Sequence, residues 1–133
     1  MIFDIRVLKD KDYEDILVGW WNDWRWTAPP KDFLPNTGYI VYDGETPVCA
    51  GYLYTTNSGV AWVDWVISNF NYKDKENRKQ ALNLLVDSLT NMSKFIGSKY
   101  CYALIKNKSL INTYKELGYI EGDSYTSEMI KVL

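Results

Sequence analysis

Apolar and polar positions change their period several times along the chain, and each change marks an element. Residues 2–8, IFDIRVL, have strand composition. Residues 9–24 take up helical spacing. Asp12 is placed to cap that helix, and Asp15 adds the acidic character favoured in a first turn. Residues 25–38 hold three prolines and no period, which predicts a loop. Two β-rich runs then flank Asp43-Gly44, so residues 38–57 form a hairpin, and Val60–Ser68 adds a third strand.

From Glu76 the period becomes helical again. Leu82, Leu85, Leu89, Met92 and Ile96 are spaced three, four, three and four, an amphipathic helix ended by Gly97. Residues 99–105, KYCYALI, predict another strand. Leu110, Ile111, Tyr114 and Leu117 share one helical face, with Asn107 or Ser109 as N-cap and Gly118 just past the end. Residues 124–133, SYTSEMIKVL, predict a last strand. The order is βα(loop)βββαβαβ, without repeat or linker, so residues 1–133 make a single α/β domain built on one sheet.

Composition narrows the chemistry. The chain carries no histidine, which removes His-based triads, and its two cysteines cannot supply a zinc ligand set, so no metal is expected. Cys49 and Cys101 lie in apolar strand-like runs and read as reduced core residues of a cytoplasmic protein rather than a disulfide. A net charge of −2 argues against a nucleic-acid partner, which would need a broad basic face. No apolar run approaches the roughly 18 residues of a membrane span, and the first eight residues read as strand rather than leader. The aromatic share is high, 16% with six Trp, and those side chains need a place.

Three stretches carry a family resemblance. DIRVLKDKDYEDI looks like an opening strand, turn and Asp-headed helix. WVISNFNY looks like a strand leading into a cofactor loop. NKSLINTYKELGY, residues 107–119, is the most specific, departing from the pattern only at Leu110 and Thr113. Together they resemble the GCN5-related N-acetyltransferases, the GNAT family, in particular small phage-type members. The resemblance covers nearly the whole chain. It implies a mixed central sheet with splayed middle strands, flanked by helices.

It also implies roles. Tyr114 would protonate the departing thiolate of coenzyme A, a task suited to a phenol whose reference pKa is about 10. Periodicity alone makes Tyr114 a core residue and Asn107 a helix cap, and the two readings are compatible. Asn107 would bond cofactor amides, and backbone groups of Val66, Ile67 and Ser68 would meet the pantetheine arm as an added strand does. Asp64 is the only carboxylate of its strand, on a face with Trp62 and Val66. It is the candidate base, or else it faces solvent or pairs with a Lys.

One departure stands out. The family's glycine-rich loop, whose backbone N–H groups approach the pyrophosphate, is replaced by KDKENRKQALNLL, which has no glycine. Lys73, Lys75, Arg78 and Lys79 stand there instead. They are a solvated first turn, or they hold the cofactor phosphates, since cations at a helix N-terminus otherwise oppose its dipole. Trp20, Trp21, Trp24 and Trp26 occupy the region that forms the acceptor side in this family. They pack on the sheet, or they wall an acceptor pocket with π faces.

The expected activity is acyl-CoA-dependent N-acyl transfer, with acetyl-CoA as co-substrate and an amine acceptor that is a small molecule or a protein. The rival is a GNAT-shaped binding protein that has lost donor binding and acts on a macromolecular partner, a reading the missing glycines favour. A nucleobase-modifying relative is a third, disfavoured by the acidic balance. Oligomeric state is not legible.

Overall fold

The structure is a computed structural model, and it describes residues 2–125 and 127–133. Five strands form one sheet in the order β1-β2-β3-β4-β5. They are β1 (Asp4–Val7), β2 (Thr37–Asp43), β3 (Thr46–Thr55), β4 (Val60–Ser68) and β5 (Tyr100–Tyr102). The first four pair antiparallel, whereas β4 and β5 run parallel. Parallel neighbours cannot be joined by a hairpin, so the chain crosses between them through the long helix α2 (Lys75–Phe95).

Helices cover both faces. Beneath α2 and α3 (Lys108–Glu116), buried Val41, Leu53, Ala61 and Val63 of the sheet meet Leu85, Leu89 and Tyr114. On the other face α1 (Val18–Asp23) and the wide helical turn before it (Tyr13–Leu17) bring Leu17, Trp20 and Trp21 onto Ile40, Ala50, Tyr52 and Ile67. The alternation of each strand feeds both layers. Gly38 is required by this packing: a Cβ there would meet the Gly51 carbonyl at 2.7 Å and the Tyr52 ring at 2.9 Å. Both cysteines are free thiols. Among the described residues no helix is long and apolar enough to cross a membrane.

The first helix is shorter than its pattern, and Asp12 does not cap it. Asp12 has helical backbone angles and no side-chain cap bond. Its carboxylate instead takes Arg6 at 2.8 and 3.0 Å and the Lys9 N–H at 2.6 Å. A buried carboxylate beside an arginine gains more from that fork than from a frayed helix end. The strand expected over residues 99–105 stops at Tyr102.

The last strand, expected over 124–133, is not formed: residues 124, 125 and 127–133 carry no regular structure, and Thr126 lies outside the described residues. Met129, Val132 and Leu133 stay exposed. A strand-like composition is a preference for a half-buried pleated surface, and these residues pair with no strand although β5 stands at the edge of the sheet.

Candidate active site

The sheet opens between β4 and β5. Their pairing runs Val60 with Tyr100, Ala61 with Cys101 and Trp62 with Tyr102, and ends there. Beyond Trp62 the edge of β4 has lost its neighbour. Asp64 is two residues past the last pair.

A bulge re-aims the side chains at this point. Tyr52 faces Asp64 and Ala50 faces Ile67, so β4 spends one more residue than β3 over the same span. The extra residue is absorbed at Trp65, which sits at φ +54°, the left-handed region that a bulky side chain rarely enters. Two bonds hold it there. Its N–H donates to Asp64 Oδ1 at 2.7 Å, and its indole Nε1–H donates to the Tyr54 hydroxyl at 2.7 Å. The bulge corrects the simple alternation of the sequence. Asp64 shares the α1 face with Trp62, but Val66 does not: it packs on the opposite face, against the core beneath α2.

Asp64 is half-buried. Desolvation raises its pKa above the ordinary carboxylate value, and Glu128 adds a like charge. Tyr114 comes from α3, whose N-cap is Asn107, accepting the Leu110 N–H at 3.1 Å. Its ring is 3% exposed and meets Tyr119 edge-on, centroids 4.9 Å apart. Burial first, then Tyr119, Asp64 and Cys101, push its hydroxyl well above the ordinary phenol value. Asp64 and Tyr114 are distant in sequence and come from different elements, yet each stands within electrostatic reach of the other. Tyr119 is itself anchored, its hydroxyl 2.6 Å from Thr90 Oγ1 and donating to Cys101 Sγ at 3.0 Å.

At the other end of β4, the start of α2 is already satisfied from within. Asp74 caps it, accepting the Asn77 N–H at 3.0 Å and its side-chain amide at 2.7 Å. The nearby cations are dispersed. Arg78 donates to the Tyr72 carbonyl and lies 6.0 Å from the Trp24 ring centroid, with its Nε buried and without a partner. Lys73 lies 4.1 Å over the Phe70 ring, and Lys79 reaches Glu116 on α3 at 3.3 Å. Lys75, the first residue of α2, is exposed, with no salt bridge among the described residues.

The four tryptophans are divided. Trp20 and Trp21 are 6% and 4% exposed and belong to the core beneath α1, which leaves no open face for a ligand. Trp24 stacks on Trp26, centroids 5.3 Å apart, and meets Phe70 edge-on at 4.8 Å. This pair lies beside the end of β4 and the start of α2, not beside Asp64. Other aromatics gather around Asp64 through its neighbours in β4. Trp65 meets Phe33 of the short helical turn Lys31–Phe33 and the buried Trp21, and Trp62 meets Tyr102 of β5. Sequence reasoning missed Phe33 and Tyr102, because only the fold brings them to β4. Asp74 is of the residue type that caps a helix N-terminus, and it stands three residues ahead of Asn77.

The donor that this fold implies meets a site fitting it at one end only. The free edge of β4 suits an extended pantetheine arm. The carboxylate cap and the dispersed cations do not suit a pyrophosphate.

No family model matches the chain, and no curated protein matches it by sequence. Solved structures do match it in fold. Glucosamine-6-phosphate N-acetyltransferase from Arabidopsis thaliana superposes with a TM-score of 0.68 at 10% identity, over 98% of this chain and 100% of that one. A Trypanosoma brucei acetyltransferase gives 0.66 at 15%, over 97% and 100%. A GNAT family acetyltransferase from Staphylococcus aureus gives 0.62 at 16%, over 98% and 100%. The chain therefore has the GNAT fold.

Proposed function

We propose that the chain is an acyl-CoA-dependent N-acyltransferase, with acetyl-CoA the simplest donor. One observation carries this reading: Asp64, two residues past the last β4–β5 pair, lies within electrostatic reach of the buried phenol of Tyr114. The amine nitrogen attacks the thioester carbonyl, the C–S bond breaks, and the thiolate takes the Tyr114 proton. Asp64 accepts the proton lost by the amine. The raised pKa of Tyr114 keeps it fully protonated at working pH, the form its task needs. Asp64, raised from a carboxylate value, is nearer to the range of a useful base.

The donor arm lies along Val66, Ile67 and Ser68, with Asn107 near its far side and Lys75 as the cation left for its phosphates. The free thiols suit a reducing cytoplasm. The solved relatives in fold include enzymes named for acetylating glucosamine-6-phosphate and aminoglycosides, which supports transfer to an amine.

One observation favours the second reading, a GNAT-shaped binding protein. Asp74 puts a carboxylate where the pyrophosphate would sit, and Trp24 occupies the Ser68 carbonyl. Titration with acetyl-CoA decides between the two. The enzyme reading expects the melting temperature to rise with ln(1 + [L]/Kd), by about 2.7 kcal/mol of stabilisation at a hundredfold excess over Kd. No shift at millimolar acetyl-CoA, together with no acyl transfer, sinks it in favour of the binding protein.

A further inference from the structure

Asp64 is a half-buried carboxylate with no counter-ion among the described residues. Among the described residues no Lys or Arg forms a salt bridge with it, and the charge that acts on it is Glu128, of its own sign. A desolvated carboxylate in that state favours a cation from outside.

Its surroundings limit what that cation can be attached to. Trp65 stands on the same face of the sheet, with Phe33 6.2 Å away at 61°. On the β5 side Trp62 and Tyr102 meet edge-on, centroids 4.6 Å apart. Phe33 and Tyr102 are 38% and 39% exposed, so these walls are open to a ligand. Several polar atoms among them are already committed. The Tyr54 hydroxyl accepts from Trp65 and donates to the Phe33 carbonyl at 2.6 Å, and Asp64 Oδ1 takes the Trp65 N–H. Asp64 Oδ2 and the buried indole N–H of Trp62, which has no partner among the described residues, are what remain. A sugar would lose the hydration of its hydroxyls here and gain few partners, and an anionic acceptor would be repelled.

Resting on the acyltransferase reading above, we infer that the acceptor is a primary amine on an apolar, aromatic body. It binds as its ammonium, head on Asp64 Oδ2 and body between Phe33 and Trp65 on one side and Tyr102 on the other. The carboxylate supplies the charge and the ring faces a cation–π contribution. Asp64 then receives the ammonium proton as the nitrogen becomes the nucleophile.

Binding of 2-phenylethylamine, the uncharged isostere 2-phenylethanol and the hydrophilic amine glucosamine, measured by calorimetry without donor, tests this. The aromatic amine should bind at least roughly tenfold more tightly than either of the others. Asp64→Asn should abolish its advantage over the alcohol. Phe33→Ala should weaken it roughly threefold or more, with little change in melting temperature. Equal affinity for amine and alcohol, a preference for glucosamine, or no binding overturns the inference. Turnover separates it from the reading beneath. If the aromatic amine binds by way of Asp64 but no acetyl transfer occurs, the acyltransferase reading fails and the site stands. If glucosamine is acetylated in preference, the site assignment fails and the acyltransferase stands.

Discussion

The indole N–H of Trp24 donates to the carbonyl of Ser68 at 2.7 Å. This bond ties the end of α1 to the end of β4 and fixes which part of the cleft the second tryptophan pair serves. Trp26 and Phe70 pack around Trp24, and Arg78 lies 6.0 Å from its ring centroid, at the Ser68 end of β4.

Trp24→Phe keeps a ring in that cluster and removes the bond. Stability should fall by about 1 kcal/mol, read from urea unfolding. The Ser68 carbonyl is then released, so acetyl-CoA should bind as well as before or better. A tenfold loss of affinity would instead make Trp24 part of the donor site.

Asp74→Ala should move stability and affinity in opposite directions. Loss of the N-cap costs about 1 kcal/mol. Loss of its negative charge frees N–H groups of α2 for a phosphate, so Kd for coenzyme A should fall, and fall less for a pantetheine fragment without phosphates. If coenzyme A weakens together with the fold, the start of α2 plays no part in binding the donor.

Tyr114→Phe removes a hydroxyl that makes no hydrogen bond among the described residues while keeping the buried ring. Thermal stability should stay within about 1 kcal/mol of the parent, because no partner is left unsatisfied. Donor should still bind, and kcat should drop by roughly 10²-fold or more. The drop should shrink with thioesters whose thiol is more acidic. A variant that binds donor and turns over at the parental rate returns Tyr114 to the core.

Asp12 sets an acid limb. Arg6 first, with the Lys9 N–H, holds its carboxyl below the ordinary value. Its folded pKa thus lies below the unfolded one, so its contribution is present above the unfolded value of about 3.9 and is lost as pH falls through the folded value. Asp12→Asn should cost about 2 kcal/mol at neutral pH and flatten the decline below about pH 4, measured as urea midpoints against pH. An unchanged acid limb would mean that other carboxylates dominate it.

Much of the fold was legible because it rests on local rules. The three-four spacing through α2 is set by one buried face, and the structure ends that helix at Phe95, two residues before Gly97 at φ +95°. The hairpin follows from Asp43-Gly44, with Gly44 in the left-handed region. Asn107 as cap and Tyr114 on the buried side of α3 follow from spacing alone, and they stand as read.

These outcomes turn on contacts that the period of apolar and polar positions does not encode. Asp12 could cap or bind Arg6, and the choice depends on where β1 lies. Val66 left the face of Asp64 because β4 bulges against β3, which period two cannot foresee. The four cations looked alike in sequence, yet Phe70, Tyr72 and Glu116 had already engaged all but Lys75.

By itself the sequence determined the order of the elements through α3, the long helix α2 and Asn107 as the cap of α3, since each depends on residues a few positions apart. Tertiary structure alone decided that β4 and β5 part after Trp62 and that Asp64 comes within electrostatic reach of Tyr114. It also decided that Phe33 and Trp21 meet Trp65 and that Tyr102 meets Trp62, the two tryptophans that bracket Asp64 in β4. Side chains so far apart along the chain come together through the packing of the sheet between two helical layers, and no local pattern encodes that.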